Sequence, residues 1–436
     1  MTRVLIVSVG GSPDPILKAV ELHQPDEVIF ACSAPPCERP SLDQVIGEGT
    51  PCRHSVDGQE VWRPNLVTQL GLKGFRRDLQ LIELPDPDDL NDCLIRLRGF
   101  VQALPSRFSK LDLCGDFTGG TKSMSTALAL SLLDQQASLS VVGGRRDNLV
   151  RIEKSEGLRM VDPIPLLAHR LFEERLPPLL GAHFYDRARS LVIEFQRNQN
   201  ERLSPPQQAA LSGLIAQLQV LVLWDRFRWR EALEAAQASG FDQLWTDLHP
   251  WWQRVEAAID WDPTDPSTVA ITGYELVQDL LLNAERRGRR GWYDDAVARL
   301  YRATELLAQT YIRLELQLDQ PAITGVLNLY RWLEDYEHRR GEGKGKVGLG
   351  SIYSGQWWEL KRLFDARNQS LLGHGLRPID KATWQALQDR VMNLLSAMLR
   401  DLEIEQGPPP CQLPGLQLLQ QPNLLDLFTS LELNQP

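Results

Sequence analysis

From Met1 to about residue 160, short apolar runs alternate with longer stretches in which apolar residues recur every three or four positions. The opening run Val4-Leu5-Ile6-Val7-Ser8-Val9 is a strand, and further strands are expected near 27–32, 79–84, 111–114 and 138–143. Amphipathic helices are expected between them, near 13–23, 88–104 and 121–135. Strands that alternate with helices in this way predict an α/β domain with a mostly parallel sheet.

The segment Ala34 to Val61 has little periodicity and several Pro and Gly residues, so it reads as an insertion over the C-terminal edge of the sheet. Beyond about Leu166 the strand signals fade. Helical patterns continue to about Glu405, with tryptophans concentrated between Trp224 and Trp358, which predicts an all-α core plugged by large aromatic rings. Ile404 to Pro410 ends this region in a Gly-Pro-Pro-Pro break, and the Leu-rich tail after it is suited to dock on the body or on a partner. The expected organisation is an α/β domain over 1–160, a helical connector over 161–290, a second helical domain over 291–405, and the break and tail over 406–436.

Composition narrows the function. A chain of 436 residues with 43% hydrophobic content buries substantial cores, and a formal net charge of -10 excludes a general nucleic-acid coat, which needs many Lys and Arg contacts to phosphate. Nucleic acid must be handled at a local site. No apolar run approaches a membrane span, and the first strand is too short for a signal peptide, so a cytoplasmic protein with reduced thiols at its six cysteines is expected. Cys32, Cys37, Cys52 and His54 lie close in sequence, but they lack the paired Cys-x-x-Cys knuckles of zinc sites, and no metal is expected.

Two glycine turns carry the first chemical signal. Asp116-Phe117-Thr118-Gly119-Gly120-Thr121-Lys122 joins the apolar run Leu111 to Cys114 to a helical pattern from Met124 to Leu133, which aims backbone amides at an anion. Gly119 and Gly120 admit close approach of a ligand, Thr118 or Thr121 can cap the helix, and Lys122 adds a positive charge. Gly10-Gly11-Ser12 follows the first strand in the same manner. In a doubly wound sheet, loops after the first and fourth strands flank the switch point, so both turns are expected to line one crevice that takes phosphate. Arg145 and Arg146 either reach that crevice or face solvent.

The second signal is Arg367-Asn368-Gln369-Ser370-Leu371-Leu372-Gly373-His374. Arg331 and His338 share the same spacing, but on a helix they lie opposite the stripe Val326, Leu329, Leu333 and Tyr336. On a continuous helix Arg367 and His374 instead project from the middle of the stripe Leu360, Leu363, Phe364 and Leu371. Two readings follow: a structural pair on a buried face, or a catalytic pair at a helix-lined interface. For catalysis, neutral His374 would take a ribose 2′-hydroxyl proton, Arg367 would stabilise the phosphorane, and Asn368 would orient the phosphate or the imidazole. That is metal-free RNA cleavage to a 2′,3′-cyclic phosphate, which spares DNA.

The Gly-Gly-Ser turn and the Asp-Phe-Thr-Gly-Gly-Thr-Lys-Ser-Met run resemble CARF domains, the Rossmann-like sensors of CRISPR effectors. The Arg367-Asn368 to His374 run, with Gly375 after it, resembles the Arg-x(four to six)-His motif of HEPN ribonucleases, and Ala298 to Leu307 is similar to a HEPN helix. In this order they resemble the CARF-HEPN ribonucleases that accompany type III CRISPR systems, over about residues 1 to 400.

The resemblance implies a Rossmann-like CARF domain followed by an all-α HEPN domain. It also implies a homodimer activated by a cyclic oligoadenylate, with no cofactor and no membrane, that cuts single-stranded RNA. Gly10, Gly11, Ser12, Thr118, Gly119, Gly120, Thr121 and Lys122 would contact the ring, and Arg367, Asn368 and His374 from both protomers would form one composite catalytic site. Some CARF domains also cut their activator.

Two other classes stay open: a CARF sensor without nuclease activity, and a Rossmann-type nucleotide enzyme. The latter lacks its Gly-x-Gly-x-x-Gly fingerprint after the first strand. Gly341 to Lys346 lacks the spacing of a P-loop and reads as a loop beside the second site.

Overall fold

Val4, Leu5, Ile6 and Val7 are all buried to 1% exposure or less, as a strand covered on both faces must be. In the computed structural model this strand, β1 (Thr2–Ser8), sits inside a six-stranded sheet. The structure describes residues 1–429 apart from 57–58, 134, 136, 148–150, 240–242, 260, 262–268, 324, 342–347, 355–356, 402–408 and 421–423. Two compact units divide the described residues, Met1–Ala168 together with Thr429, and His169–Phe428.

In the first unit the strands are β1, β2 (Glu27–Ser33), a separate hairpin of β3 (Cys52–Val56) and β4 (Gln59–Arg63), then β5 (Leu81–Leu84), β6 (Leu111–Asp116), β7 (Ser138–Asp147) and β8 (Arg151–Val161). The sheet order is β5-β2-β1-β6-β7-β8, parallel except for β8, which runs antiparallel to β7. Side chains alternate between the two faces. Val4 and Ile6 join a core under the helices Leu90–Arg107 and Lys122–Leu133, while Leu5, Val7 and Val9 join one under the helix Asp14–His23 and the insertion. The chain lays down β2 and then β5 on one side of β1 and crosses from β5 to β6 on the other, so the loops after β1 and β6 emerge side by side at the carboxyl ends of their strands.

Strand β8 departs from the sequence expectation, which placed no strand after residue 143. Its sequence is broken by charges and a glycine, and as the sheet edge it presents Met160 to solvent at 57% exposure. The insertion contains the β3/β4 hairpin and packs beside the first glycine turn. Gln44 Nε2 donates to Gly10 O at 2.8 Å, and His54 Nδ1 lies 2.6 Å from Asp14 Oδ1 at the start of the first helix. Cys32 contacts Ile82 O and Cys52 contacts Gln44 O, so the cysteines and His54 do not converge, and burial pushes the two thiols up to about 12 and about 11. Among the described residues no group of three metal-ligating side chains gathers.

The second unit is helical. Its main core runs from Tyr274 to Leu399 and joins the helices Glu275–Arg289, Tyr293–Leu314, Val326–Arg340 and Lys381–Asp401. The aromatic plugs are present: Trp224 and Trp252 are fully buried and stack at 4.1 Å, and Asp279 accepts from the indole N–H of Trp224 and of Trp229, both at 2.9 Å. Arg331 and His338 are exposed, opposite buried Val326, Leu329 and Leu333.

A buried ionic cluster organises this unit. Asp225 takes Arg286 at 2.9 Å, Arg290 at 2.7 Å and Arg287 at 3.2 Å, and these cations hold its carboxyl below the usual range against the desolvation that opposes them. The tail closes over the cluster: Gln412 donates to Leu282 O at 3.1 Å, and Tyr185 donates to Pro414 O at 2.8 Å. The described tail residues thus dock on the body of the same chain. Because the Tyr185 hydroxyl hydrogen is committed to Pro414, His183 Nδ1 must donate to Tyr185 Oη, 2.7 Å away, and Nε2 must accept from Arg289 at 3.2 Å.

Burial, and then the nearby arginines, accordingly push His183 down to about 3 from an ordinary 6.5. Unfolded His183 gains a proton below about 6.5 while the folded one stays neutral to about 3, so its contribution is present above 6.5 and is lost as pH falls toward 3. Urea unfolding of wild type and His183→Gln is expected to show a stability gap that narrows from pH 7 to pH 4. A constant gap would contradict this.

Candidate functional site

Two places gather the residues singled out by the sequence. At the first, β1 pairs with β6 so that Val7 lies opposite Asp116, and the loops beyond them meet backbone to backbone. A Cβ on Gly10 would lie 2.6 Å from Gly120 N, and one on Gly119 would lie 2.9 Å from Gly10 N and strike Ser8 O. Only glycine fits at this crossing, and Gly120 also adopts φ +83°. Ser8 and Ser125 both donate to Gly119 O, at 2.6 and 2.7 Å, which holds that peptide in place. Gly11 has open space around it, and Ser12 is half-buried beside it.

The two threonines of this turn are not equivalent. Thr121 donates to Pro87 O and accepts from Met124 N at 3.2 Å, so its hydroxyl is committed to capping the helix. Thr118 Oγ1 accepts from Val142 N at 2.7 Å, and its hydroxyl also hydrogen-bonds the Asp116 carboxylate, so it braces the turn. Lys122 is exposed at the first position of the helix.

Beneath the turn lies a polar chain that the sequence did not reveal. Asp116 Oδ1 accepts from Thr118 N at 3.1 Å, Ser140 donates to Asp116 Oδ2 at 2.9 Å, and His23 Nε2 lies 2.9 Å from Ser140 Oγ. Burial raises the Asp116 carboxyl and lowers the His23 imidazole, opposed in both by their mutual attraction. The serine stands between the imidazole and the carboxylate, so this chain braces the turn rather than activating a nucleophile. The side chains of Arg145 and Arg146 and the loop 342–347 lie outside the described residues.

The second place is the end of the helix Trp357–Asn368. The expectation of a continuous helix through His374 is corrected here: the helix stops at Asn368, and residues 369–376 form a tight turn. Ser370 N donates to Arg367 O at 3.0 Å, His374 N to Asn368 O at 2.8 Å and Arg377 N to Gln369 O at 2.9 Å, so the chain folds back on the helix end. Gly373 permits this, because a Cβ there would strike Arg367 O and lie 3.0 Å from Asn368 Cα. The predicted stripe is correspondingly broken. Phe364 is buried, whereas Leu371 is 68% exposed, and the side chains of Leu360 and Leu363 lie outside the described residues.

The turn leaves His374 exposed and Arg367 half-buried. Arg367 Nη1 donates to Asn368 Oδ1 at 3.0 Å, its guanidinium carbon stands 4.4 Å from the centre of the Tyr301 ring, and its Nε is buried without a hydrogen-bond partner. No carboxylate neutralises it among the described residues, unlike the buried arginines around Asp225. A cation set beside an amide, with no anion of its own among the described residues and with an exposed histidine in the turn that follows, is suited to a phosphate.

Amide hydrogen exchange tests both turns. Gly373→Ala is expected to raise exchange at His374, Gly375 and Arg377 while leaving the core helices protected. Gly119→Ala is expected to cost about 1–3 kcal/mol by overpacking, against within about 0.5 kcal/mol for Gly11→Ala, both read from urea unfolding.

Comparison with known proteins bears on both places. Residues 269–354 match the family model of the Csm6 HEPN domain, a segment that includes Tyr301 and ends before Arg367. No curated protein sequence matches the chain. Among solved structures it is similar to Enterococcus italicus Csm6 bound to cyclic hexa-2′-fluoro-hexa-dAMP, at 12% sequence identity and a TM-score of 0.57, over 98% of this chain and 100% of that one. In architecture the chain is similar to that protein: a mostly parallel α/β unit is followed in sequence by a helical unit, of which residues 269–354 match the Csm6 HEPN model.

Proposed function

We propose that the protein is an endoribonuclease of type III CRISPR antiviral defence, switched on by a cyclic oligoadenylate and cutting single-stranded RNA without a metal ion. One observation carries this reading: among the described residues Arg367 has no anion beside it, while the glycine turn folds His374 back to Asn368 with its imidazole exposed. The neutral imidazole of His374 takes the proton of a ribose 2′-hydroxyl, and the 2′-oxygen attacks the adjacent phosphorus. The 5′-oxygen leaves with a proton from an imidazolium, and a 2′,3′-cyclic phosphate remains. Arg367 faces the negative charge that develops on the phosphorane, and Asn368 fixes the guanidinium.

One imidazole serves poorly as both base and acid, and a second copy supplies the other. Leu371, Leu372 and Leu376 surround His374 and are exposed at 68%, 53% and 86%, an apolar surface suited to a two-fold contact. The catalytic set is then Arg367, Asn368 and His374 of both protomers in a homodimer.

In the α/β unit the backbone N–H groups of Gly11, Ser12, Gly119 and Gly120 and the ammonium of Lys122 are offered to the phosphates and riboses of the ring, with Thr118 beside them in the same turn. Gly10 and Thr121 shape the turns. The similarity to a Csm6 bound to a cyclic hexanucleotide analogue supports a ring ligand of this class. The ring activates by binding the active arrangement of the dimer better than the idle one. No cofactor enters this chemistry, and the protein would act in the cytoplasm.

A fluorescent RNA is to be incubated in EDTA with cyclic tri-, tetra- and hexa-adenylate and with wild type, Arg367→Ala or His374→Ala. Cleavage is expected with one ring size and is expected to fall by about 10²–10⁴-fold in His374→Ala. Full activity in both variants would contradict the assignment. Ring binding without cleavage in the wild type would leave a sensor whose helical unit has another task.

A further inference from the structure

Arg367 is the one residue of the proposed catalytic set that must hold a charge at a fixed point, yet no carboxylate among the described residues holds it. What stands against it is Tyr301, on the helix Tyr293–Leu314. The guanidinium carbon lies 4.4 Å from the ring centre, well within the range at which an aromatic face attracts a cation. The ring is itself fixed on two sides. Its hydroxyl accepts from Val326 N at 3.2 Å, at the start of the helix Val326–Arg340, and Phe364 meets it edge-on at 5.1 Å and 80°. Phe364 lies one turn before Arg367 on the same helix, so one aromatic pair sets both the helix and the guanidinium.

We propose that Tyr301 is the positioning residue of this site: its aromatic face, not its hydroxyl, holds the Arg367 guanidinium in register for the phosphate. This rests on the ribonuclease reading above and deepens it. A carboxylate in the same place would hold the guanidinium as firmly, but it would cancel the charge the reaction uses. An aromatic face attracts the cation and leaves its charge uncompensated. Nη1 is directed by Asn368, Nε is buried against the protein, and Nη2 makes no hydrogen bond to a described residue, which leaves that edge for a phosphate oxygen.

The test compares Tyr301→Phe, which keeps the face and loses the hydroxyl, with Tyr301→Leu, which keeps apolar bulk and loses the face. With ring-activated protein in EDTA, Tyr301→Phe is expected to stay within about threefold of wild type, and Tyr301→Leu to lose about 3- to 30-fold in kcat with KM for RNA little changed. Equal rates for the two variants would overturn the proposal, as would a loss in KM alone.

A second readout does not depend on activity. The Arg367 Nε–H resonance, assigned by its disappearance in Arg367→Lys, is expected to be shifted by the ring current in wild type and Tyr301→Phe and to lose that shift in Tyr301→Leu. An unmoved resonance would overturn the placement even in an inactive protein. A moved resonance with no cleavage in the wild type would place the failure on the ribonuclease reading instead.

Discussion

An arginine that no anion among the described residues meets is the constraint on which the helical unit turns. Burying part of a guanidinium has a desolvation cost, and proteins usually offset it with a carboxylate, as this chain does three times over at Asp225. Arg367 is treated differently: an aromatic face, a neighbouring amide and a helix end hold it, and its charge is left for something else to meet. The aromatic packing around Tyr301 and Phe364, the end of the helix at Asn368 and the glycine turn to His374 all follow from keeping that cation placed and uncompensated.

In the α/β unit the governing constraint is steric. Two strands adjacent in the sheet deliver two loops to the same end, and their backbones cross where Gly10 meets Gly119 and Gly120. Side chains are excluded there, so peptide groups form the surface. The buried chain from His23 through Ser140 to Asp116 braces that surface from below, and the insertion braces it from the side through Gln44 and the pair His54 and Asp14.

Much of this was legible in the sequence, for identifiable reasons. Strands buried on both faces read as unbroken apolar runs, so β1, β2, β5, β6 and β7 stood out, and the glycine turns marked their ends. Strand β8 did not stand out because an edge strand carries charges as a loop does. The β3/β4 hairpin was missed although its strands flank Asp57-Gly58, a dipeptide favoured in tight hairpins. At Arg367 the helical period was extended through Leu371 to His374, whereas Gly373 marked a place where the chain leaves the helix. Tyr301 lies 66 residues from Arg367 by subtraction, and the contact between them has no local signature, since only the packing of two helices creates it.

The central claim is that RNA is cut by an attack of its own 2′-hydroxyl at a site built from Arg367 and His374. The mass of the 5′ fragment, measured after ring-activated cleavage in EDTA, tests this most directly. A fragment ending in a 2′,3′-cyclic phosphate is the expected product, together with no cleavage of a substrate that carries 2′-deoxyribose at the cut position. A 3′-hydroxyl terminus, or equal cutting of the deoxy-substituted substrate, would contradict it.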